Sequence, residues 1–141
     1  MSNAALPEKE FDLIVYGASG FTGKLVSEYL FQQHGNNVNL RWALAGRNAE
    51  KIARSLAEAR LPSDTPVITA DSGDLEALTA MTERTSVVLS TVGPYQYYGT
   101  LLVEACVKTG TDYVDLCGEP VLPHDEVGEV FQRGCARCAA Q

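Results

Sequence analysis

The stretch that decides the fold is Phe11-Asp12-Leu13-Ile14-Val15-Tyr16-Gly17-Ala18-Ser19-Gly20-Phe21-Thr22-Gly23-Lys24-Leu25-Val26. An apolar, β-branched run breaks into glycines at every third position, and helical spacing of apolar residues follows, so the stretch predicts strand, tight turn and helix. Each glycine has its own physical reason. Gly17 lets the chain turn sharply out of the strand, Gly20 removes the Cβ that would hold backbone N–H groups away from an anion, and Gly23 lets the helix pack close to the strand. Such a turn brings the positive end of a helix to a phosphate. The spacing Gly-x-x-Gly-x-x-Gly is not the commoner Gly-x-Gly-x-x-Gly. The strand before it and the helix after it are what make it a candidate dinucleotide site.

Outward from this unit the pattern repeats. The first helix is expected over about residues 20–34, with Phe21, Leu25, Val26, Tyr29 and Leu30 as its apolar stripe, and His34-Gly35-Asn36-Asn37 stops it. A second strand is expected within residues 38–45, ending in Gly46-Arg47-Asn48. Its helix is capped by Asn48 and turns Ile52, Leu56 and Ala59 inward. Residues 61–66 form a turn, 67–70 a third strand closing on Asp71, and Ser72 or Asp74 caps a helix carrying Leu75, Leu78 and Met81. Residues 86–92 are a buried strand ended by Gly93-Pro94. After the aromatic loop of Tyr95, Tyr97 and Tyr98 comes a helix over about 100–108, with Leu101, Leu102, Ala105 and Cys106 inward, and a fifth strand over 111–116. Cys117-Gly118-Glu119-Pro120 is an exit loop, and a last helix is expected over about 123–138.

Strands and helices alternating through short connections require right-handed crossovers and a parallel sheet covered on both faces. The expectation is an α/β, Rossmann-like doubly wound sheet of about five strands in the order 3-2-1-4-5, truncated before a sixth strand. Residues 1–10 are expected to be a tag remnant or disordered start, and 11–141 the domain itself.

At 141 residues the chain is long enough to bury roughly two-thirds of its unfolded surface. A formal charge of -7 excludes nucleic acid or an anionic membrane as the main partner, since both demand a basic face. No apolar run approaches the roughly 20 residues that cross a bilayer. Cys106, Cys117, Cys135 and Cys138, with no secretory signal, fit free thiols in a reducing, cytoplasmic setting.

The end of the second strand selects the cofactor. An NAD site places a carboxylate there; this chain has none and offers Arg47, whose planar guanidinium can pair with a 2′-phosphate, so NADP is favoured and NAD is the alternative. A solvated first-turn arginine is the plain counter-reading. Asp71 stands where an adenine amino group would need an acceptor, or it is an ordinary capping residue. Gly93 would let backbone approach the ribose or nicotinamide near the switch point of the sheet, and the tyrosines could wall that crevice or pack on the next helix. Cys135 and Cys138 have metal-ligand spacing but no second pair, so no metal is expected, and His124 reads as a surface residue. The chain has no Tyr-x-x-x-Lys pair for proton transfer, and no catalytic residue is assigned.

Four motifs carry a resemblance. Tyr16-Gly17-Ala18-Ser19-Gly20-Phe21-Thr22-Gly23, Trp42-Ala43-Leu44-Ala45-Gly46-Arg47, Thr91-Val92-Gly93-Pro94-Tyr95 with Tyr98-Gly99, and the run from Tyr113 through Val114, Asp115, Leu116, Cys117, Gly118 and Glu119 to Pro120 occur in the order found in saccharopine dehydrogenase-like oxidoreductases. The chain resembles the amino-terminal domain of that family, which includes the trans-acting enoyl reductases of lipid biosynthesis. The resemblance implies an NAD(P)-binding Rossmann domain and cofactor roles for Gly17, Ser19, Gly20, Phe21, Thr22, Arg47, Gly93 and Pro94. It also implies a small-molecule or lipid-like substrate held by a further domain that mediates subunit pairing and that this sequence lacks. On that basis the chain alone is expected to be inactive, with a non-catalytic dinucleotide-sensing or scaffold module as the alternative. An unpaired outer edge on the fifth strand would favour a homodimer.

Overall fold

The computed structural model describes residues 8–94 and 98–116. The expected last helix, the exit loop, His124, Tyr95, Tyr97, Cys117, Cys135 and Cys138 lie outside the described residues. Within them the chain runs β1 (Phe11–Tyr16), α1 (Phe21–His34), β2 (Trp42–Gly46), α2 (Ala49–Glu58), β3 (Val67–Thr69), α3 (Leu75–Thr82), β4 (Thr85–Ser90), α4 (Thr100–Thr109) and β5 (Asp112–Asp115). The strands form one parallel sheet in the order β3-β2-β1-β4-β5, as expected.

Strand alternation divides the core in two. Ile14, Tyr16 and Val88 face the side covered by α3 and α4, where Leu78, Met81, Leu102 and Cys106 meet them. Val15 and Leu44 face the other side, against Ile52 and Leu56 of α2 and Val26 and Leu30 of α1. Burying a side chain such as Ile52 completely is worth about 1.5–3 kcal/mol.

The helix ends follow the sequence closely. Asn48 accepts the Lys51 N–H at 3.1 Å and caps α2, and Asp74, not Ser72, caps α3 by accepting from Ala77 N–H at 3.1 Å. Gly110 ends α4 in the left-handed region at φ 67°, which a glycine adopts without strain.

Helix α1 departs from expectation. Phe21, Leu25 and Tyr29, assigned to the inward stripe, are 82%, 48% and 61% exposed, whereas Gly23 and Ser27 are buried and Val26, Leu30 and Phe31 pack inward. Gly23 causes this rotation. A Cβ there would overlap the Gly17 carbonyl oxygen and come within 2.8 Å of Ala18 Cα, so the helix rests against the turn at its glycine. At 3.6 residues per turn, positions two away from the point of contact lie on the opposite face.

The second strand also starts later than its apolar run. Val38 is 90% exposed. Asn37 accepts the Asn39 N–H at 3.0 Å and the Leu40 N–H reaches the Asn37 carbonyl at 3.1 Å, so a turn takes those residues out of the ladder.

The amino-terminal edge of the sheet is tied by polar contacts that begin before Phe11. Glu10 takes a bidentate pair of bonds from Arg84 at 2.8 and 3.1 Å, joining the approaches to β1 and β4. Asp12 accepts the Arg41 backbone N–H at 2.8 Å and its guanidinium at 3.2 Å; those two bonds hold its carboxyl below the usual range. Lys9 donates to the Thr82 and Thr109 carbonyls at 3.4 and 3.3 Å, in the last turns of α3 and α4. Beneath it Thr82, Thr109 and Thr111 form a partly buried hydroxyl network, in which Thr111 Oγ1 donates to the Thr82 carbonyl at 2.7 Å. Thr111→Val keeps the shape and removes the donor, so urea unfolding should show a loss of about 1–3 kcal/mol. Changes at the opposite end of the sheet are not expected.

Candidate functional site

All strands are parallel, so their carboxyl ends meet at one edge of the sheet, and the sequence-predicted residues collect there. The turn after β1 is built by backbone bonds. Gly17 N–H and Ala18 N–H both donate to the Ala45 carbonyl of β2, at 2.8 and 3.2 Å, and Gly20 N–H donates back to the Gly17 carbonyl at 3.0 Å. On the other side Thr91, leaving β4, donates its N–H to the Tyr16 carbonyl at 2.9 Å, and its hydroxyl lies 3.0 Å from the same oxygen. The chain goes from β1 to one side and returns to β4 on the other, which places the turn at the switch point of the sheet.

The glycines serve different ends. Gly17 sits at φ 90°, and a Cβ on it would meet Val92 Cγ2 at 2.6 Å and Thr91 Oγ1 at 2.7 Å. Gly17 and Gly23 are therefore demanded by the fold. Among the described residues Gly20 is demanded by neither conformation nor packing: its backbone is extended, with φ -80° and ψ 168°, and a Cβ would meet only the Gly17 oxygen, at 3.4 Å. Gly20 itself is exposed. Gly20 is also the N-cap of α1 and makes no side-chain cap bond, whereas Asn48 and Asp74 close the starts of α2 and α3. The first N–H groups of α1, on Phe21, Thr22 and Gly23, have no partner within the helix, so this turn can receive an anion. Ser19, Phe21 and Thr22 are exposed around it.

Arg47 follows β2 directly and is exposed; Asp71, two residues beyond β3, is exposed as well. Asp71 Oδ1 accepts the Gly73 N–H at 2.8 Å in a local turn, so Asp71 shapes the loop while Asp74 caps the helix. Gly93 and Pro94 are exposed beyond β4, joined by a cis peptide bond, and the Tyr98 N–H reaches the Pro94 carbonyl at 3.3 Å. The structure brings the Gly17 turn, Arg47, Asp71 and the Gly93-Pro94 segment to the same edge of the sheet.

Two residues go beyond the expected set. Thr91 holds the β4 exit against the glycine turn, with its hydroxyl 3.0 Å from the Tyr16 oxygen and 3.2 Å from that of Gly17. Tyr16 is buried at 2% exposure, and its hydroxyl donates to the Ala70 carbonyl at 3.0 Å. Burial first, then the Asp71 carboxylate, push the phenol up to about 12, so it remains a neutral donor. A hydroxyl-bearing aromatic closing a buried aliphatic strand was the available signal, since such a group needs a partner.

A 3-2-1-4-5 parallel sheet with an open glycine turn at the switch point defines a Rossmann-like domain. A family model described as the saccharopine dehydrogenase NADP binding domain matches residues 13–131, and the chain belongs to that family of NADP-binding domains. A trans-acting enoyl reductase of Mycobacterium tuberculosis (strain H37Rv) is 49% identical over 114 residues, which is 79% of this chain and 26% of the relative. The chain spans 31% of the length of one curated relative, matched over 134 residues, and 26% of another, matched over 114. Among solved structures, apo saccharopine dehydrogenase (L-Glu forming) from Saccharomyces cerevisiae superposes with a TM-score of 0.61 at 23% identity, over 80% of this chain and 22% of that one. The Citrobacter sp. triphenylmethane reductase complexed with NADP(H) gives 0.60 at 22% identity, over 90% and 46%. Both likenesses are of fold.

The contrast between glycines is directly measurable. Gly23→Ala should overpack the turn and lower stability by about 1–3 kcal/mol, while Gly20→Ala should stay within about 0.5 kcal/mol of the parent in denaturant unfolding.

Proposed function

We propose that this chain is the NADP(H)-binding part of an oxidoreductase whose substrate is held by further chain, with an enoyl group on a lipid intermediate as the substrate class. The observation that carries the cofactor reading is the exposed Gly20 at the start of α1, where a glycine leaves the helix N-terminus accessible to a phosphate. The pyrophosphate would lie on the N–H groups of Phe21, Thr22 and Gly23, with Ser19 and Thr22 hydroxyls beside it. Arg47 would take the 2′-phosphate and Asp71 the adenine amino group. Gly93 and Pro94 would border the ribose and nicotinamide, where Thr91 keeps their segment against the Gly17 turn. The bound dinucleotide supplies the hydride, and the residues named here bind and orient it.

The enoyl substrate is supported by the M. tuberculosis relative named as a trans-acting enoyl reductase. Hydride transfer needs the acceptor held about 3–3.5 Å from the nicotinamide, and the chain spans only 31% and 26% of two relatives named as enoyl reductases, so catalysis is assigned to the longer protein. A dinucleotide-sensing or scaffold role is the second reading, motivated by a sequence without a Tyr-x-x-x-Lys pair. Among the described residues no helix is long and apolar enough to cross a membrane, and Cys106 is a buried free thiol, which supports a cytoplasmic protein.

Calorimetric titration with NADPH and NADH tests the cofactor site. Arg47→Ala should weaken NADPH by roughly tenfold or more and NADH far less, the value of a charge-assisted contact. Absence of binding by the parent, or an NADPH affinity left unchanged by Arg47→Ala, would sink the assignment. Self-association is a separate expectation. Val114 of β5 and Leu116 just beyond it are 47% and 61% exposed, apolar surface that a second copy could cover. Sedimentation should show a concentration-dependent dimer; a monomer throughout would remove it.

A further inference from the structure

Tyr16 is the last residue of β1 and the covalent neighbour of the phosphate turn, yet its side chain does its bonding two strands away. It lies in register with Ala45 of β2, and the small Ala43 and Ala45 leave the ring room to lie beneath that strand, beside Ile68 and Ala70. Its hydroxyl crosses to the exit of β3 and donates to the Ala70 carbonyl at 3.0 Å, 54 residues away in sequence. The Ala70 N–H is already committed to the Gly46 carbonyl at 2.9 Å, so this residue is held from both sides, once by the residue before Arg47 and once by the residue before Gly17. The charges of Asp71 and Arg47 are both felt at the same hydroxyl. Packing alone does not require the oxygen, since a phenylalanine ring fills the same volume.

We propose that the Tyr16 hydroxyl is a positioning group for the adenosine half of the dinucleotide site, fixing the Ala70–Ser72 segment in register with the Gly17 turn and Arg47. It touches no cofactor atom. It acts through the loop, setting the height at which Asp71 is presented relative to a phosphate bound at Gly20. Asp71 Oδ1 is tied to the Gly73 N–H at 2.8 Å, so the carboxylate moves with the loop as one piece, and anchoring Ala70 anchors both. This rests on the cofactor reading above, with the adenosine between the ends of β2 and β3.

The test uses the full chain as Tyr16→Phe, titrated with NADPH and with adenosine 2′,5′-bisphosphate, which carries only the adenosine half. Tyr16→Phe should weaken both ligands by the same factor, about tenfold. Combining Tyr16→Phe with Asp71→Asn should cost less than the sum of the separate losses, because the carboxylate is already misplaced. A purely structural bond would lower the unfolding midpoint and leave both affinities at the parent value, which would overturn the proposal while sparing the cofactor reading. A parent chain that binds neither ligand would overturn both. Should Tyr16→Phe fold poorly, an Asp71→Asn variant that folds normally and binds both ligands like the parent would equally overturn it, since the positioned carboxylate would then contribute nothing.

Discussion

The structure depends on the contact between Gly23 of α1 and the Gly17 turn, where a helix meets a strand exit with no side chain between them. A Cβ at position 23 would occupy the space of the Gly17 oxygen. That approach sets the rotation of α1, aims its first N–H groups at the open side of the turn, and decides which apolar residues reach the core. Val26, Leu30 and Phe31 then complete the layer over Val15 and Leu44. The exposed Phe21, Leu25 and Tyr29 follow from the same geometry.

Around that contact the site is joined laterally, strand by strand. Gly17 and Ala18 hang on the Ala45 carbonyl, Thr91 on that of Tyr16, and Ala70 on that of Gly46. Each loop that would touch a dinucleotide thus begins from a residue bonded to its neighbour strand, and parallel pairing alone brings their ends level. The far edge is held differently, by Lys9, the threonine network and the Glu10–Arg84 pair. Rigidity at one edge and exposed loops at the other is the usual division of labour in open α/β sheets.

Much of this was legible in the chain. The order of strands, the caps at Asn48 and the glycine turn follow from local rules about apolar runs, short polar side chains and missing Cβ atoms. The rotation of α1 was not legible, because two overlapping apolar stripes fit its sequence and only the partner surface chooses between them. The late start of β2 was not either, since Val38 looks like strand until the Asn37 side chain turns the backbone aside. The role of Tyr16 was not legible either, its partner being 54 residues away.

The sequence by itself determined the α/β alternation, the strand order and the residue types gathered at the carboxyl edge, because these depend on spacing within a few residues and on the handedness of crossovers. Only the tertiary structure decided that Gly17 and Gly23 are spoken for by the fold while Gly20 is left free, and that Tyr16 ties the β3 exit to the phosphate turn. Both are matters of distance between segments remote in the chain. A sequence states which atoms are missing or present at a position, but which space they leave or fill depends on what folds against it.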